Sequence, residues 1–321
     1  MFRRQFVAGS AASAAVVAGR AAQAQAQQFS IATGTTGAVY YPLGGAMANI
    51  LSKKVPGWAV TAEATAGSVA NMHMIRDGKA QLALTQCDTA YDAIKGLDKF
   101  VGKPVESRTL AVVYPNLVHF VTMEGTGINK LSDIKGKRIS TSAPVSGSEV
   151  MALRIIDELG LKLSDIKRER LAPAESTNAM KDGKLDGYFF NGGPPVAAIT
   201  DLAATQGVKI KLIPTADLVP ALNKKYGPVF APSEIKAKAY PNQDAAVPVI
   251  AIWNILIVPA SMSDDQAYTI IKTLWDNQAD LVATHKASAD MTPENQKLAN
   301  SSVPFHPGAL KFFAEKGIKL S

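Results

Sequence analysis

The sequence predicts an α/β fold in two lobes, with mostly parallel sheets flanked by helices and two strands hinging the lobes. Three observations predict it. Short apolar runs with strand character alternate with helical spacings, the pattern of parallel strands covered by helices on both faces. The pattern also repeats in order: Gly37 corresponds to Gly147, Ser68 to Ser176 and Gly78 to Gly183, at separations of 105 to 110 residues. Finally, the apolar runs within Leu110–Met123 and at Val247–Pro259 are long enough to leave one sheet and enter another. A chain that crosses twice divides into a first lobe over 27–123, a second over 124–246, and a return over 247–321 that brings the C-terminal helices back to the first.

The opening residues do not belong to that fold. Arg3 and Arg4 form a positive start, Ala8 to Gly19 is a small apolar stretch, and Ala24-Gln25-Ala26 is a cleavage-site pattern. Residues 1–26 therefore read as an export leader, and Arg-Arg-Gln-Phe-Val resembles a twin-arginine signal. The apolar stretch is too short to span a bilayer, which takes about 20 residues, and no later segment is apolar and long enough. The expectation is an exported chain, free of direct membrane insertion, in the periplasm. Its formal charge of +7 falls to +4 once Arg3, Arg4 and Arg20 leave with the leader. That balance lacks the clustered basic footprint of a nucleic-acid binder. The single cysteine, Cys87, has no partner for an intramolecular disulfide, so the fold depends on its apolar core.

Phe29–Ala32 reads as a strand, and Leu43, Met47 and Ile50/Leu51 recur at helical spacing, with Pro42 suited to the first helical position, where its missing N–H costs nothing. Between them lies the glycine-rich turn Thr33-Gly34-Thr35-Thr36-Gly37-Ala38-Val39-Tyr40-Tyr41. Gly34 and Gly37 permit a tight turn, Thr33 and Thr36 offer hydroxyls, and free backbone N–H groups at the helix start suit a small anion. Tyr40 and Tyr41, adjacent on one helix, cannot both face the core, so at least one is expected to wall a cleft.

In the next block, Gly67-Ser68-Val69-Ala70-Asn71 starts a helix that ends at Asp77-Gly78-Lys79, before the strand Gln81–Thr85. Ser68 and Asn71 have an N-cap arrangement, and Gln86 follows the strand where a ligand contact belongs in an open α/β sheet. Cys87 reads as a small buried hydrophobe, with no histidine or metal-ligand set beside it.

The second lobe repeats this grammar. A strand over Lys137–Thr141, the stretch Ser142 to Ser148, and a helix face of Met151, Ile155 and Leu159 mirror the opening turn. Ser146 and Glu149 have capping-box spacing, and the helix start at Gly147 and Ser148 leaves further N–H groups for an acid. Arg154, two turns in, reads as a surface residue. Glu175-Ser176-Thr177-Asn178 opens a helix ended by Asp182-Gly183-Lys184, and the strand Gly187–Phe190 leads into Asn191, Gly192 and Gly193. Pro214–Asp244 reads as irregular surface structure. Near the end, Ser263 with Gln266 caps one helix and Pro307 begins another, with His306 architectural.

The motif Thr33-Gly34-x-x-Gly37-x-x-Tyr40-Tyr41-Pro42-Leu43-Gly44 resembles the opening of the TAXI family, the solute-binding proteins of tripartite ATP-independent periplasmic (TRAP) transporters. Further matches follow in order: Gly67-Ser68-x-x-Asn71, Gln86-x-Asp88, Leu131-x-Asp133-x-Lys135-Gly136-Lys137, Ser146-Gly147-Ser148-Glu149, Glu175-Ser176 and Pro304-Phe305-His306-Pro307-Gly308-Ala309. Thr35-Thr36 departs from it, since glycine is frequent there in the family. The resemblance implies a type II-like periplasmic binding fold, no cofactor, a membrane permease as partner, and a small organic acid or amino acid as ligand, of the glutamate, glutamine or dicarboxylate class. None of these motifs contains an arginine, unlike the related dicarboxylate-binding TRAP proteins. An exported hydrolase or lyase on the same architecture is the rival, with Glu63, Asp88, Glu149 and Glu175 as its candidate carboxylates, and a free-standing sensor is a third reading. No Walker loop, G-x-S-x-G, G-x-G-x-x-G or paired-histidine zinc motif is present in the sequence.

Overall fold

A computed structural model describes residues 26–320. Apart from Ala26, the expected leader lies outside the described residues. The first unit runs β1 (Gln27–Ala32), α1 (Tyr40–Lys54), β2 (Trp58–Glu63), α2 (Ser68–Arg76), β3 (Leu82–Gln86) and α3 (Cys87–Lys95). The long strand β4 (Ser107–Met123) follows. The second unit repeats the order with β5 (Arg138–Ser140), α4 (Gly147–Glu158), β6 (Lys167–Glu169), α5 (Pro173–Lys181), β7 (Gly187–Gly192) and α6 (Ala197–Ala204). Then come β8 (Ile210–Leu212), α7 (Val219–Tyr226), β9 (Ala231–Ile235) and the second long strand β10 (Val247–Pro259). The chain closes with α8 (Asp264–Asp276), α9 (Gln278–Thr284), α10 (Leu298–Ser301) and α11 (Pro307–Glu315).

The strands form a single sheet in the order β2-β1-β3-β10-β4-β7-β5-β6, with β8 on β4 and β9 on β10. Its two ends are parallel and share one topology. β1 lies between β2 and β3, and β5 lies between β6 and β7, so the repeat seen in sequence is a repeat of strand order. The echo extends to the turns: Gly78 and Gly183 both adopt left-handed φ angles, +67° and +68°, after their helices.

Two antiparallel strands join the parallel ends. β4 pairs with β10 from Ser107 to Leu117, and then with β7 from Leu117 to Thr122. β10 pairs with β9 from Val247 to Ala251, and with β3 from Asn254 to Ile257. Each long strand thus begins in one half and ends in the other, as expected from runs that are apolar, β-branched or aromatic through most of their length. One hydrophobic core gathers Phe29, Leu43, Val112, Ile257, Ile271 and Phe312 around the first half, so the C-terminal helices return there. The second half packs on both sheet faces, around Phe120, Ile155 and Phe189 on one and Val121, Tyr188 and Ile199 on the other.

Most expected elements appear, and some differ. α1 begins at Tyr40, so Pro42 is its third residue rather than its first; the missing N–H still falls among the amides no helical carbonyl reaches. Pro214–Asp244 is not wholly irregular, since it contains α7 and β9. α7 buries only Val219 and Leu222, and β9 is an edge strand exposed at four of its five residues, including Pro232. Neither carries an apolar period, and a proline is tolerated in an edge strand. Ser263 and His306 cap α8 and α11 as expected, accepting from the N–H of Gln266 at 3.3 Å and of Gly308 at 3.2 Å.

Candidate functional site

The carboxyl ends of β3 and β7 meet across the long strands, and a narrow cavity lies there. Gly34, Val39, Tyr40, Gly67, Ser68 and Gln86 line it from the first half. Ser142, Ser146, Gly147, Ser148, Pro173, Phe190 and Asn191 line it from the second, and Tyr114 and Asn116 on β4 also border it. Three helix starts converge here, those of α2, α4 and α5. Their first-turn N–H groups have no intrahelical acceptor, and their dipoles make the region favourable to negative charge. None of the lining residues carries a charged side chain.

The two halves already touch through polar contacts. Within each half a serine at a helix start braces a strand exit: the Gln86 backbone N–H donates to Ser68 Oγ at 3.1 Å, and the Asn191 N–H donates to Ser148 Oγ at 3.0 Å. Across the gap, Asn191 Nδ2 donates to Gln86 Oε1 at 3.1 Å, and the Ala70 N–H donates to the Val145 carbonyl at 3.1 Å. Gly147 is required for this approach. A Cβ there would lie 2.6 Å from Gln86 Nε2 and 2.8 Å from Ser68 Oγ.

On β4 and β10 a relay fixes one amide's orientation. Asn254 Nδ2 donates to the Tyr114 carbonyl at 3.1 Å, which leaves Asn254 Oδ1 as an acceptor for the Tyr40 hydroxyl and for Asn116 Nδ2 at 2.9 Å. Asn116 must therefore turn its Oδ1 elsewhere, and that oxygen is buried without a partner. The Tyr114 hydroxyl and Asn191 Oδ1 are likewise buried and unpartnered. Buried polar atoms without partners are uncommon and costly, and these three belong to residues of one cavity. Burial pushes the Tyr40 and Tyr114 phenols far above their usual range, so both remain neutral.

Of the residues read as a site from the sequence, Gly34, Tyr40, Ser68, Gln86, Ser146, Gly147, Ser148 and Asn191 line this cavity. The others do not. Thr33 is buried and its hydroxyl donates to the Glu63 carbonyl at 2.6 Å. Asn71 is a buried staple, donating to the carbonyls of Thr33 and Leu84 at 2.6 and 2.7 Å. Thr36 is exposed beside a separate groove with Pro42 and His285. Gly37 faces Ala174 across the two halves. Tyr41 is exposed and Tyr40 is the ring that borders the cavity. Glu175 is exposed, accepting from the Ala172 N–H at 3.1 Å, and Gly192 packs against Phe190 and Val196. Ser68 is the first residue of α2 rather than its cap, which is Gly67.

The capping reading of Ser146 holds in half. Its Oγ accepts from the Glu149 N–H at 3.0 Å, but the Glu149 carboxylate takes the Val145 N–H at 2.9 Å and binds Arg168 and Arg170. Arg154 is not a surface residue. Its guanidinium is 6% exposed, bonded to Asp88 at 2.8 Å and to Asp92, and stacked 4.6 Å from the Tyr226 ring centre. This ion cluster joins α3 of the first half to α4 of the second. Burial raises both carboxyls despite the arginine, Asp92 to about 6. Cys87 is buried as expected, its thiol pushed up to about 12 by burial.

Sequence reading missed Tyr114, Asn116 and Ser142. The available signal was an asparagine in the middle of each apolar crossing run, Asn116 and Asn254. None of Glu63, Asp88, Glu149 and Glu175 lines the cavity. Among the described residues, no group of three or more His, Cys, Asp or Glu could hold a metal, and no helix is long and apolar enough to cross a membrane.

Residues 31–317 match the NMT1-like family. Solved structures resemble the fold at low identity. A protein from Bordetella bronchiseptica RB50 is 17% identical, with 89% of this chain and 88% of that one covered and a TM-score of 0.52. The periplasmic binding protein BugD is 12% identical, with 91% and 98% covered and a TM-score of 0.53. At such identities the likeness is one of fold, a mixed α/β architecture with a largely parallel sheet flanked by helices.

Proposed function

We propose from one premise, that this chain belongs to the NMT1-like family, that it is an exported solute-binding protein rather than an enzyme. It captures a small organic acid or amino acid between its halves, 27–123 with 247–321 on one side and 124–246 on the other. It then passes the ligand to a membrane permease, of the TRAP type that the TAXI-like motifs imply. The observation that carries this reading is the cavity at the meeting of the halves, uncharged in its side chains, with three buried oxygens awaiting partners. The periplasmic description of BugD supports it.

Capture follows from geometry. A ligand in the cavity touches Gln86 and Ser68 on one side and Ser148 and Asn191 on the other only when the halves are together. That difference in contact drives closure. Shifting a two-state equilibrium from 1:99 to 99:1 takes about 5.5 kcal/mol, within the roughly 8 to 12 kcal/mol of a micromolar to nanomolar complex. With only two buried, neutral phenols as titratable lining groups, the cavity offers no acid–base pair for turnover.

The test is calorimetry with a panel of small acids and amino acids, joined to mass spectrometry of the recovered ligand and small-angle scattering. Stoichiometric binding, an unaltered ligand and a smaller radius of gyration are expected. A chemically changed ligand, or no binding across the panel, would overturn the proposal.

A further inference from the structure

The cavity's polar atoms discriminate between ligand ends. Asn116 is 2% exposed and its orientation is dictated by a carbonyl: the Tyr114 C=O can only accept, so Asn254 offers it Nδ2, turns Oδ1 to Asn116 Nδ2, and leaves Asn116 Oδ1 as a fixed, empty acceptor. Rotating the Asn116 amide would set its oxygen against Asn254 Oδ1, two acceptors with no proton between them. The Gln86–Asn191 pair has no such constraint, since either amide can serve as donor. A ligand group beside Asn116 must therefore bring an N–H or O–H. The Tyr114 hydroxyl, unpartnered in the same cavity, can donate to an acceptor on that group. At the helix starts the requirement is the opposite: the first backbone N–H groups of α2 and α4, together with the positive dipole ends of α2, α4 and α5, call for an anion.

We propose that Asn116 makes this site select a monocarboxylate that carries a neutral carboxamide at its other end, and reject the matching dicarboxylate. The carboxylate faces the helix starts. The carboxamide NH₂ donates to Asn116 Oδ1 and its carbonyl accepts from Tyr114. A second carboxylate there would set lone pairs against a locked acceptor in a site with no cationic side chain, and leaving the Asn116 oxygen unpaired carries its full desolvation penalty. Sites built to hydrogen-bond a particular group reject analogues lacking it strongly. This inference rests on the solute-binding reading and narrows it.

The experiment titrates the wild-type protein with succinamate against succinate, and glutaramate against glutarate. Each monoamide is expected to bind at least tenfold more tightly than its diacid. Asn116→Leu should bring that ratio to within about threefold, while thermal unfolding confirms that the variant is folded. A diacid bound as tightly as its monoamide, or an unchanged ratio in a folded Asn116→Leu protein, would overturn the proposal and leave solute binding intact. Binding of other small acids with none of these four bound would overturn it equally. Failure of every ligand in the broader panel would strike the function itself.

Discussion

Replacing Arg154 by leucine should destabilise the protein by about 3–5 kcal/mol, the usual consequence of removing one partner from a buried ion cluster. The structure supports that size. The guanidinium is the cation bonded to two carboxylates that are 0% and 7% exposed, and it is itself only 6% exposed. Without it at pH 7, at least one of Asp88 and Asp92 must take up a proton to remain buried. Protonating an aspartate of ordinary pKa, about 3.9, at that pH costs roughly 4 kcal/mol. The assay is urea unfolding of both proteins at pH 7 and at pH 4.5. Because the penalty is largely the cost of a proton, it should shrink by about half or more at the lower pH. Adding Asp88→Asn and Asp92→Asn to the leucine variant should recover much of the lost stability. A loss below about 1 kcal/mol at pH 7, or an equal loss at both pH values, would refute the reasoning, because the carboxylates would then be finding solvent or another cation.

Two buried groups give opposing pH dependences. Asp92 has a folded pKa of about 6, above the unfolded value of about 3.9, so it contributes stability below pH 4 that is lost as the pH rises to 6; Asp92→Asn should change stability relative to wild type by up to about 3 kcal/mol across that window. His119, pushed down to about 4 by burial, loses its contribution as the pH falls from about 6.5 to 4, and His119→Gln should remove that loss of about 3 kcal/mol. Urea midpoints every half pH unit measure both, and a variant whose curve parallels wild type removes that residue from the account. Gln86→Ala, which deletes the side-chain contact to Asn191, should weaken ligand binding about tenfold with unfolding changed by less than about 1 kcal/mol, since one neutral hydrogen bond is worth roughly that much; calorimetry showing wild-type affinity would place the contact outside the site. Gly147→Ala should hinder the meeting of the halves through its contacts with Gln86 and Ser68, so ligand-induced compaction in scattering should be lost while secondary structure is unchanged.

The fold was legible because its repeat unit is short and punctuated. Ser68, Gly78 and Gly183 mark helix starts and stops, and the two crossing strands are apolar through most of their length, so periodicity and turn chemistry agree. The site was legible only where it coincides with that punctuation. Gly147, Ser148, Gln86 and Asn191 fall at helix starts and strand exits, positions where a one-dimensional reading can place a ligand. Thr33 and Asn71 occupy the same kind of position, yet the neighbouring strand edge takes their polar atoms, and no local pattern reports that competition. Arg154 was misread for a related reason. Its partners Asp88 and Asp92 lie more than 60 residues away, and a charged side chain on a helix is usually solvated unless a distant carboxylate reaches it. Asn116 and Asn254 stood visible as polar interruptions in apolar strands, but only their pairing across the sheet shows which oxygen is left over.

The double crossing of the chain has a practical consequence for any test of the proposed closure. β1 and α11 pack into the same core, so reporters fused near either of them would ride together and record nothing of opening. One probe must sit on the far body, for instance at Lys181 on α5, with the other at Lys53 on α1. The chain is well suited to that design, because its single native thiol is sealed in the interior and introduced cysteines would be labelled selectively.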